Sequence, residues 1–482
     1  MPNRPHTWGC MRMNEKTWVA LACAALLSAC SLMPAYQRPA LPVPDQWPDG
    51  LPLASKDNST QRLSDMAWSQ FFVDKTLQDL IIRALANNRD LRVTALAIEQ
   101  ARATLGVRSA DLWPTVNAQM AGSRVPNSSG GISSNYSAGL ITTAYELDFF
   151  GRMASLKEQA LAQYLASTEA NLSAQLSLIS SVAQGWLNLL TDEALLASSR
   201  QTLASRQESL QLVELKARHG AASELDLRLA QTLFESARVA LAQQTQKRAQ
   251  DENALVLLLG QPLPPEARAA LNPKPGGGLP VLADLPPGLP SDLLGRRPDI
   301  RAAEQQLIAA NASIGAARAA FFPRISLTAG AGSASSELKG LFKDGSWGFT
   351  LAPQLVLPIF DMGRNQANLD ATEAAQEIAV AQYERAIQGA FREVADALAN
   401  RSTLAQQLQA QSALLTAETE RSRLTRLRYD TGAASALDWL DAQRSLFSAE
   451  QALAQTALLV QQNQVTLFKV LGGGQIRADS SR

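Results

Sequence analysis

The chain has 482 residues, and its 44 basic and 44 acidic side chains give a formal net charge of zero. Nucleic-acid-binding proteins need a basic surface, so this balance argues against that class. Charged residues make up 18% of the chain and aromatic residues 6%. Together with abundant alanine, leucine, glutamine and serine, this composition favours long helices over a bulky globular core.

The first 29 residues are typical of an export signal. The basic residues Arg4, Arg12 and Lys16 precede a short apolar run over 18–27. This run is too short to cross a bilayer. The run ends in Leu-Ser-Ala before Cys30, which resembles the bacterial lipobox, a motif whose cysteine is lipidated and becomes the first residue after cleavage. Ser31 then favours the outer membrane. An ordinary signal peptide that contains a cysteine is the alternative. No cofactor is expected beyond the covalent lipid on Cys30.

Residues 30–73 are rich in proline, which predicts an extended tether behind the lipid anchor. A short amphipathic helix is predicted at 74–86, with four apolar side chains on one face: Leu77, Leu80, Ile81 and Leu85. Residues 90–112 predict a second helix, which Pro114 ends.

Residues from about 113 to 149 alternate between apolar and polar side chains, which predicts a β-hairpin. A proline-free stretch follows, in which residues 154–217 would form a helix about 96 Å long. Gly220 separates this helix from another over 223–258. Helices 90–112 and 223–258 together would reach about 88 Å, so they could stack end to end beside the long antiparallel helix.

The second half of the chain repeats this order. Residues 90–114 match 299–323 at an offset of 209 residues, and Leu147–Phe150 matches Leu357–Phe360 at an offset of 210. Two extra residues placed after Phe360 give an offset of 212, at which Gly220–Asp226 matches Gly432–Asp438. The predicted organisation is a signal peptide at 1–29, a tether at 30–73, a first repeat at 74–272, a Pro/Gly linker at 273–290, a second repeat at 291–474 with a hairpin at about 322–358, and a tail at 475–482.

The hairpins predict an assembly. Their polar faces carry small neutral residues that suit a wet interior, and their apolar faces suit lipid. Four strands cannot close a barrel, and open strand edges are not tolerated in lipid. Two chains would give eight strands and a filled interior, whereas three would give twelve strands and an open bore. We therefore predict a mainly α fold with transmembrane β-strands: a long antiparallel α-helical (coiled-coil) barrel and a trimeric twelve-stranded β-barrel, built from an internally duplicated chain.

Six strings carry a family resemblance: Asn87–Arg92, Glu146–Arg152, Arg297–Asp299, Asn311–Pro323, Leu440–Phe447 and Leu471–Gly474. Together they make the chain similar to the outer membrane factors of tripartite efflux systems, the TolC-like channels, and within them to the OprM-type lipoprotein branch. The resemblance implies a homotrimer in outer membrane lipid, gated at its periplasmic end. It also implies partnership with a periplasmic membrane-fusion adaptor and an inner-membrane RND-type pump, and export of drugs or other toxic small molecules.

The helix after Gly432 carries the candidate gate. Asp438, Asp441 and Arg444 follow one another at spacings of three, so neighbours share a helix face, and a threefold axis would arrange the carboxylates in rings. The resemblance implies that Leu437, Asp441 and Arg444 form the closed end and its ion links. A solvated acidic helix face is the structural alternative.

The resemblance also implies a latch at Tyr429, although Ala434 replaces the arginine that follows the turn in such channels. Asp226 begins the matching helix of the first repeat, but Leu229 replaces the second aspartate there. We therefore predict that the end of the second repeat is the moving, ion-paired one. We expect Gly220 and Gly432 to form tight left-handed turns and to be part of the adaptor docking surface.

Other functions fit less well. An enzyme is disfavoured because the mature chain would keep one histidine, His219, no thiol and no ligands at metal-binding spacing, so no metal site is expected. A periplasmic scaffold without a pore conflicts with the hairpins and the lipobox. Copper/silver efflux channels and type I secretion ducts share the fold and stay open as alternatives, but the scattered methionines favour organic solutes.

Overall fold

The computed structural model describes residues 32–44, 67–126, 128, 130–272, 279–280, 282–283 and 297–473. The predicted signal peptide, Cys30, the C-terminal tail and most of the linker lie outside these residues. The elements in chain order are α1 (Trp68–Phe71), α2 (Lys75–Asn87), α3 (Arg89–Ala110), β1 (Asn117–Pro126), β2 (Ile132–Leu147), α4 (Arg152–Arg218), α5 (Glu224–Leu259), α6 (Pro265–Ala270), α7 (Pro298–Ala319), β3 (Arg324–Ser335), β4 (Trp347–Val356), α8 (Arg364–Asp430) and α9 (Ala436–Val470).

The duplication is confirmed in three dimensions. The order α3-β1-β2-α4-α5 recurs as α7-β3-β4-α8-α9, and the long helices α4 and α8 each have 67 residues. The helices predicted at 74–86, 90–112, 154–217 and 223–258 begin and end within two residues of the predicted positions. Among the described helices, none has the length and apolar content that crossing a bilayer requires.

The contacts divide the chain into two compact units, and each repeat contributes to both. Unit 1 contains residues 1–40, 98–167 and 303–383, whereas unit 2 contains 41–97, 168–302 and 384–482. The predicted domain boundaries instead follow the repeats along the chain. The long helices therefore belong partly to one unit and partly to the other.

In unit 1 the two hairpins join into one antiparallel sheet with the strand order β1-β2-β3-β4. Strands β2 and β3, one from each repeat, pair directly, while β1 and β4 form the edges of the sheet. Strand β2 has a β-bulge between Thr142 and Tyr145, within which Ala144 has a φ of 50°. Every residue of both edge strands is exposed, because each edge lacks a neighbouring strand.

The strand registers explain why the repeat offset changes from 209 to 212. Met120 lies opposite Ala138, and its repeat counterpart Ala329 lies opposite Leu351, so β2 and β4 are offset by 213 residues. The bulge adds one residue to β2, so the offset falls from 213 to 212 for the residues that follow the bulge. The extra residues therefore lie in the connection between β3 and β4, rather than after Phe360 as the sequence match placed them.

Unit 2 contains a large apolar core. Phe71 and Phe468 stack with their ring centroids 4.5 Å apart, and both side chains are fully buried. The apolar face of α2 packs into the same core, as its spacing predicted, and Asp74 caps this helix by accepting a 2.8 Å hydrogen bond from the backbone N–H of Thr76. This core fixes the short N-terminal helices against α4, α5 and α9.

The N-terminal segment 32–40, which we call the strap, is held on unit 1. The amide of Asn311 donates to the carbonyl oxygen of Pro34 at 2.8 Å, and Arg38 pairs with Glu304 at 2.8 Å. The strap passes so close to α7 that a Cβ on Gly315 would lie 2.9 Å from the Cα of Met33. Only glycine allows this approach.

Gly315→Ala should therefore loosen the strap without unfolding the protein. We expect chymotrypsin to cleave after Tyr36 faster in this variant, because the added methyl group displaces Met33. Gly106 occupies the same position in the first repeat and has no atom within 4 Å of an added Cβ, so Gly106→Ala is a matched control. Equal cleavage rates in the two variants would show that the close approach does not hold the strap.

Candidate gate at the two helical turns

Two similar turns connect α4 to α5 and α8 to α9. Gly220 and Gly432 both have a φ of 77°, as expected for left-handed turns. The N–H of Ala221 donates to the carbonyl of Lys216 at 2.8 Å, and that of Ala433 to Arg428 at 2.7 Å, so both helices end in a Schellman motif. No atom lies within 4 Å of a Cβ on either glycine. Backbone conformation, and not lack of space, therefore requires glycine at both positions.

Each turn leads into a helix that begins with a capping box. The Ser435 hydroxyl accepts from the N–H of Asp438 and donates to its carboxylate at 2.8 Å, and that carboxylate also accepts from the N–H of Ser435. Ser223 and Asp226 form the same arrangement at the start of α5. Hydrogen bonds from Ser435 hold the pKa of Asp438 below its usual range. Two of the three aspartates that the sequence assigned to the gate, Asp226 and Asp438, thus form capping boxes with a serine, a role that the Ser-x-x-Asp spacing could have indicated.

Asp441 joins α8 to α9. Its carboxylate accepts from Arg421 on α8 at 2.7 Å and from Arg444, one turn along α9, at 2.5 Å. Arg421 also pairs with Glu418 at 3.1 Å. The pairing of Asp441 with Arg444 follows from their spacing, whereas Arg421 lies across the turn and was missed from the sequence.

The first repeat lacks this ion cluster. Leu229 stands at the position of Asp441, and the position of Arg421 is occupied by Ser209, whose hydroxyl donates to the carbonyl of Ser205 at 2.8 Å. The two turns therefore share backbone geometry and caps, but differ in side-chain charge.

Tyr429 links the second repeat to the first. The ammonium group of Lys216, near the end of α4, donates to the Tyr429 hydroxyl at 3.0 Å and lies 4.2 Å from the centre of its ring. Tyr429 also contacts Trp439 of α9, and their stacked rings have centroids 4.8 Å apart. Lys216 and Trp439 were missed from the sequence, and Lys216 is the partner of Tyr429 in a chain that has Ala434 after the turn.

A small apolar cluster supports these contacts. Val213, Ala230, Trp439 and Leu440 are at most 5% exposed and pack together beneath the turns. Leu437, by contrast, is 53% exposed, so it is available for contacts outside its own chain. His219 is exposed at the first turn, and among the described residues no group of three or more metal-ligating side chains occurs.

Comparison with known proteins agrees with this architecture. A family model described as "Outer membrane efflux protein" matches residues 80–261 and 289–473. The solvent efflux pump outer membrane protein SrpC of Pseudomonas putida is 47% identical over 458 residues, which cover 93% of this chain and 96% of SrpC. A membrane protein from Pseudomonas aeruginosa is 44% identical, with a TM-score of 0.85 and coverage of 94% of this chain and 99% of the other. The open-state MtrE outer membrane channel of Neisseria gonorrhoeae is 39% identical, with a TM-score of 0.82 and coverage of 92% and 98%.

Proposed function

The chain belongs to the outer membrane efflux protein family, and we propose that three copies form a duct gated at the two helical turns. It is an outer membrane efflux channel, and it works with an adaptor and an inner-membrane pump. We assign the pump to the RND type and the lipid anchor to Cys30. The cargo that we favour is organic, solvents or drugs, because SrpC is named for solvent efflux.

The asymmetry between the turns carries the gating proposal. Arg421, Asp441 and Arg444 form an ion cluster in the second repeat, where the first repeat has Ser209 and Leu229. A gate needs one element that moves against another that stays. Exposed ion pairs contribute little each and break readily, which suits a moving element. We therefore place the moving end at the α8–α9 turn, with Leu437 facing the constriction.

The Lys216–Tyr429 contact is the proposed latch between the two repeats. It joins the last turn of α4 to the last turn of α8 through a hydrogen bond and a cation–π contact. Opening at the α8–α9 turn would separate these side chains. Gly220 and Gly432, which set the shape of the turns, would present the docking surface for the adaptor.

The test of cargo is accumulation in the source bacterium with and without the gene. We expect deletion to raise intracellular dye and antibiotic levels and to sensitise cells to organic solvents. Restoring the wild-type gene should reverse both effects. Sensitivity confined to copper or silver would contradict the organic-cargo proposal, and loss of a secreted protein alone would favour a secretion duct.

A further inference from the structure

Arg206 on α4 is a buried cation without a counter-ion. The residue is 5% exposed, and one of its terminal nitrogens, Nη1, donates to the carbonyl of Leu233 at 3.0 Å. Its Nε has no hydrogen-bond partner, and among the described residues no carboxylate forms an ion pair with it. Burial lowers the pKa of Arg206, yet an arginine side chain stays protonated in proteins. The charge is therefore present and uncompensated.

The guanidinium borders a polar pocket of about 190 Å³ between α4, α8 and α9. Six residues with hydroxyl or amide groups line the pocket: Ser198, Gln201, Thr202, Ser205, Ser422 and Gln443. Arg426 also lines it, and its Nε lies 3.9 Å from the carboxylate of Asp430. Glu450 is the acidic residue of the lining, and its carboxylate already accepts from Ser198 at 2.9 Å. The pocket thus offers many hydrogen-bond donors, and its lining contains two arginines and one carboxylate.

Arg206 makes one hydrogen bond, through Nη1, among the described residues. Nη1 is occupied by Leu233, and the aromatic ring of Phe447 lies 5.4 Å from the guanidinium carbon. Nε is shielded from solvent and has no hydrogen-bond partner. Together with Nη2 it forms the pair of donors that can bind two oxygens of one anion side by side. An apolar ligand would leave these donors unpaired, whereas a phosphate or sulfate would satisfy them.

We propose that this pocket binds a small tetrahedral oxyanion, such as inorganic phosphate, on Arg206. Two oxygens would bind the Arg206 fork, and the remaining oxygens would accept from the surrounding hydroxyl groups and from Arg426. The anion would hold α4 of the first repeat against α8 and α9 of the second. If the proposed function is correct, the anion therefore stabilises one arrangement of the turns, but its binding does not depend on channel activity.

Thermal unfolding of the full chain in detergent tests the site directly. We expect phosphate, compared with chloride at equal ionic strength, to raise the unfolding midpoint saturably by about 2–4 °C. Arg206→Gln should remove this shift, and Thr202→Val should weaken the binding while leaving the charge in place. Arg206→Lys should keep a smaller shift, because a point charge replaces the fork.

Arg200 provides the matched control, since it lies on the same helix, is exposed and carries the same charge. Arg200→Gln should leave the phosphate shift unchanged. Isothermal titration of phosphate into the wild type and both glutamine variants measures the binding itself, in case Arg206→Gln changes stability. A phosphate effect no larger than that of chloride, or one that survives in Arg206→Gln, would overturn the proposal.

Discussion

Replacing Asp441 with alanine should raise the conductance of the reconstituted channel several-fold. The substitution removes the acceptor that holds Arg421 on α8 and Arg444 on α9. Each exposed pair of this kind contributes about 0.2–1 kcal/mol, and a trimer would lose three copies at once. Because the effects of the three copies combine, a closed state that is only modestly favoured should lose much of its population.

Variants of the two capping aspartates distinguish loss of the ion cluster from damage to a helix end. Asp226→Ala and Asp438→Ala each break a capping box, but neither removes the ion cluster. We expect both to change conductance much less than Asp441→Ala, when each variant is measured in planar bilayers at the same salt concentration. If Asp226→Ala opened the channel as far as Asp441→Ala, the gate could not be assigned to the second repeat.

The cap at Asp438 also has a defined response to pH. Its folded-state pKa is lowered by hydrogen bonds from Ser435, so the cap stabilises α9 above the pKa of the unfolded chain. This stabilisation is lost as the pH falls through the lowered folded-state pKa. Near neutral pH the ionised carboxylate of Asp438 accepts hydrogen bonds from Ser435 at the start of α9. Asp441 is therefore the carboxylate that pairs with arginine.

The sequence predicted local features well because they depend on short spacings. The two glycine turns, the helix ends and the Asp441–Arg444 pair all follow from residues within one or two helical turns of each other. Arg421 and Lys216 were not predicted from the sequence. The partner of Arg421, Asp441, lies across a turn, and the partner of Lys216, Tyr429, lies in the other repeat. The change of repeat offset was misplaced for another reason. The longer second hairpin raises the offset to 213 and the bulge lowers it to 212, so a gapped sequence match can place the change elsewhere.

The duplication also predicts how one chain should pair with the next. Strand β2 pairs with β3 inside the chain, and the repeat counterparts of these strands are the two exposed edges, β4 and β1. Transferring the β2–β3 register through offsets of 213 and 209 residues places Leu355 of one protomer opposite Met120 of its neighbour. Thr142 and Ala329 form the equivalent pair within the chain.

Two observations support this register. Met120 shares a sheet face with Ala138, Ser333 and Trp347 through successive strand pairs, and Leu355 lies on the same face of β4 as Trp347. The proposed pairing therefore keeps both apolar side chains, which are 72% and 61% exposed in the single chain, on one face. A shift by one residue would place them on opposite faces.

The seam between chains should be weaker at its base than the one inside the chain. Within the chain, Glu146 pairs with both Arg152 and Arg324 at the ends of β2 and β3. Pro358 and Thr115 stand at the positions of Glu146 and Arg324 in the other repeat. The junction between protomers therefore lacks this ion cluster, and its cohesion must come from the strand pairing above it.

A double variant, Met120→Cys with Leu355→Cys, should form covalent trimers under mild oxidation. Directly opposed residues of an antiparallel pair have Cα atoms about 4.5–5.5 Å apart, a range that allows a disulfide. Denaturing gels without reductant would show a ladder that ends at three chains and collapses on reduction. Either single variant alone should stay monomeric on the gel, because each seam then contains one thiol.

The matched control moves one cysteine from the position of Leu355 to that of Leu351, on the same face of β4. In the Met120→Cys, Leu351→Cys variant the two thiols would be separated by about 13 Å along the strand, so little covalent product should form. Equal crosslinking in both double variants would show that the register is not transferred from the β2–β3 seam. A ladder that ended at two chains would contradict the trimer itself, since a closed ring of three seams must yield three linked chains.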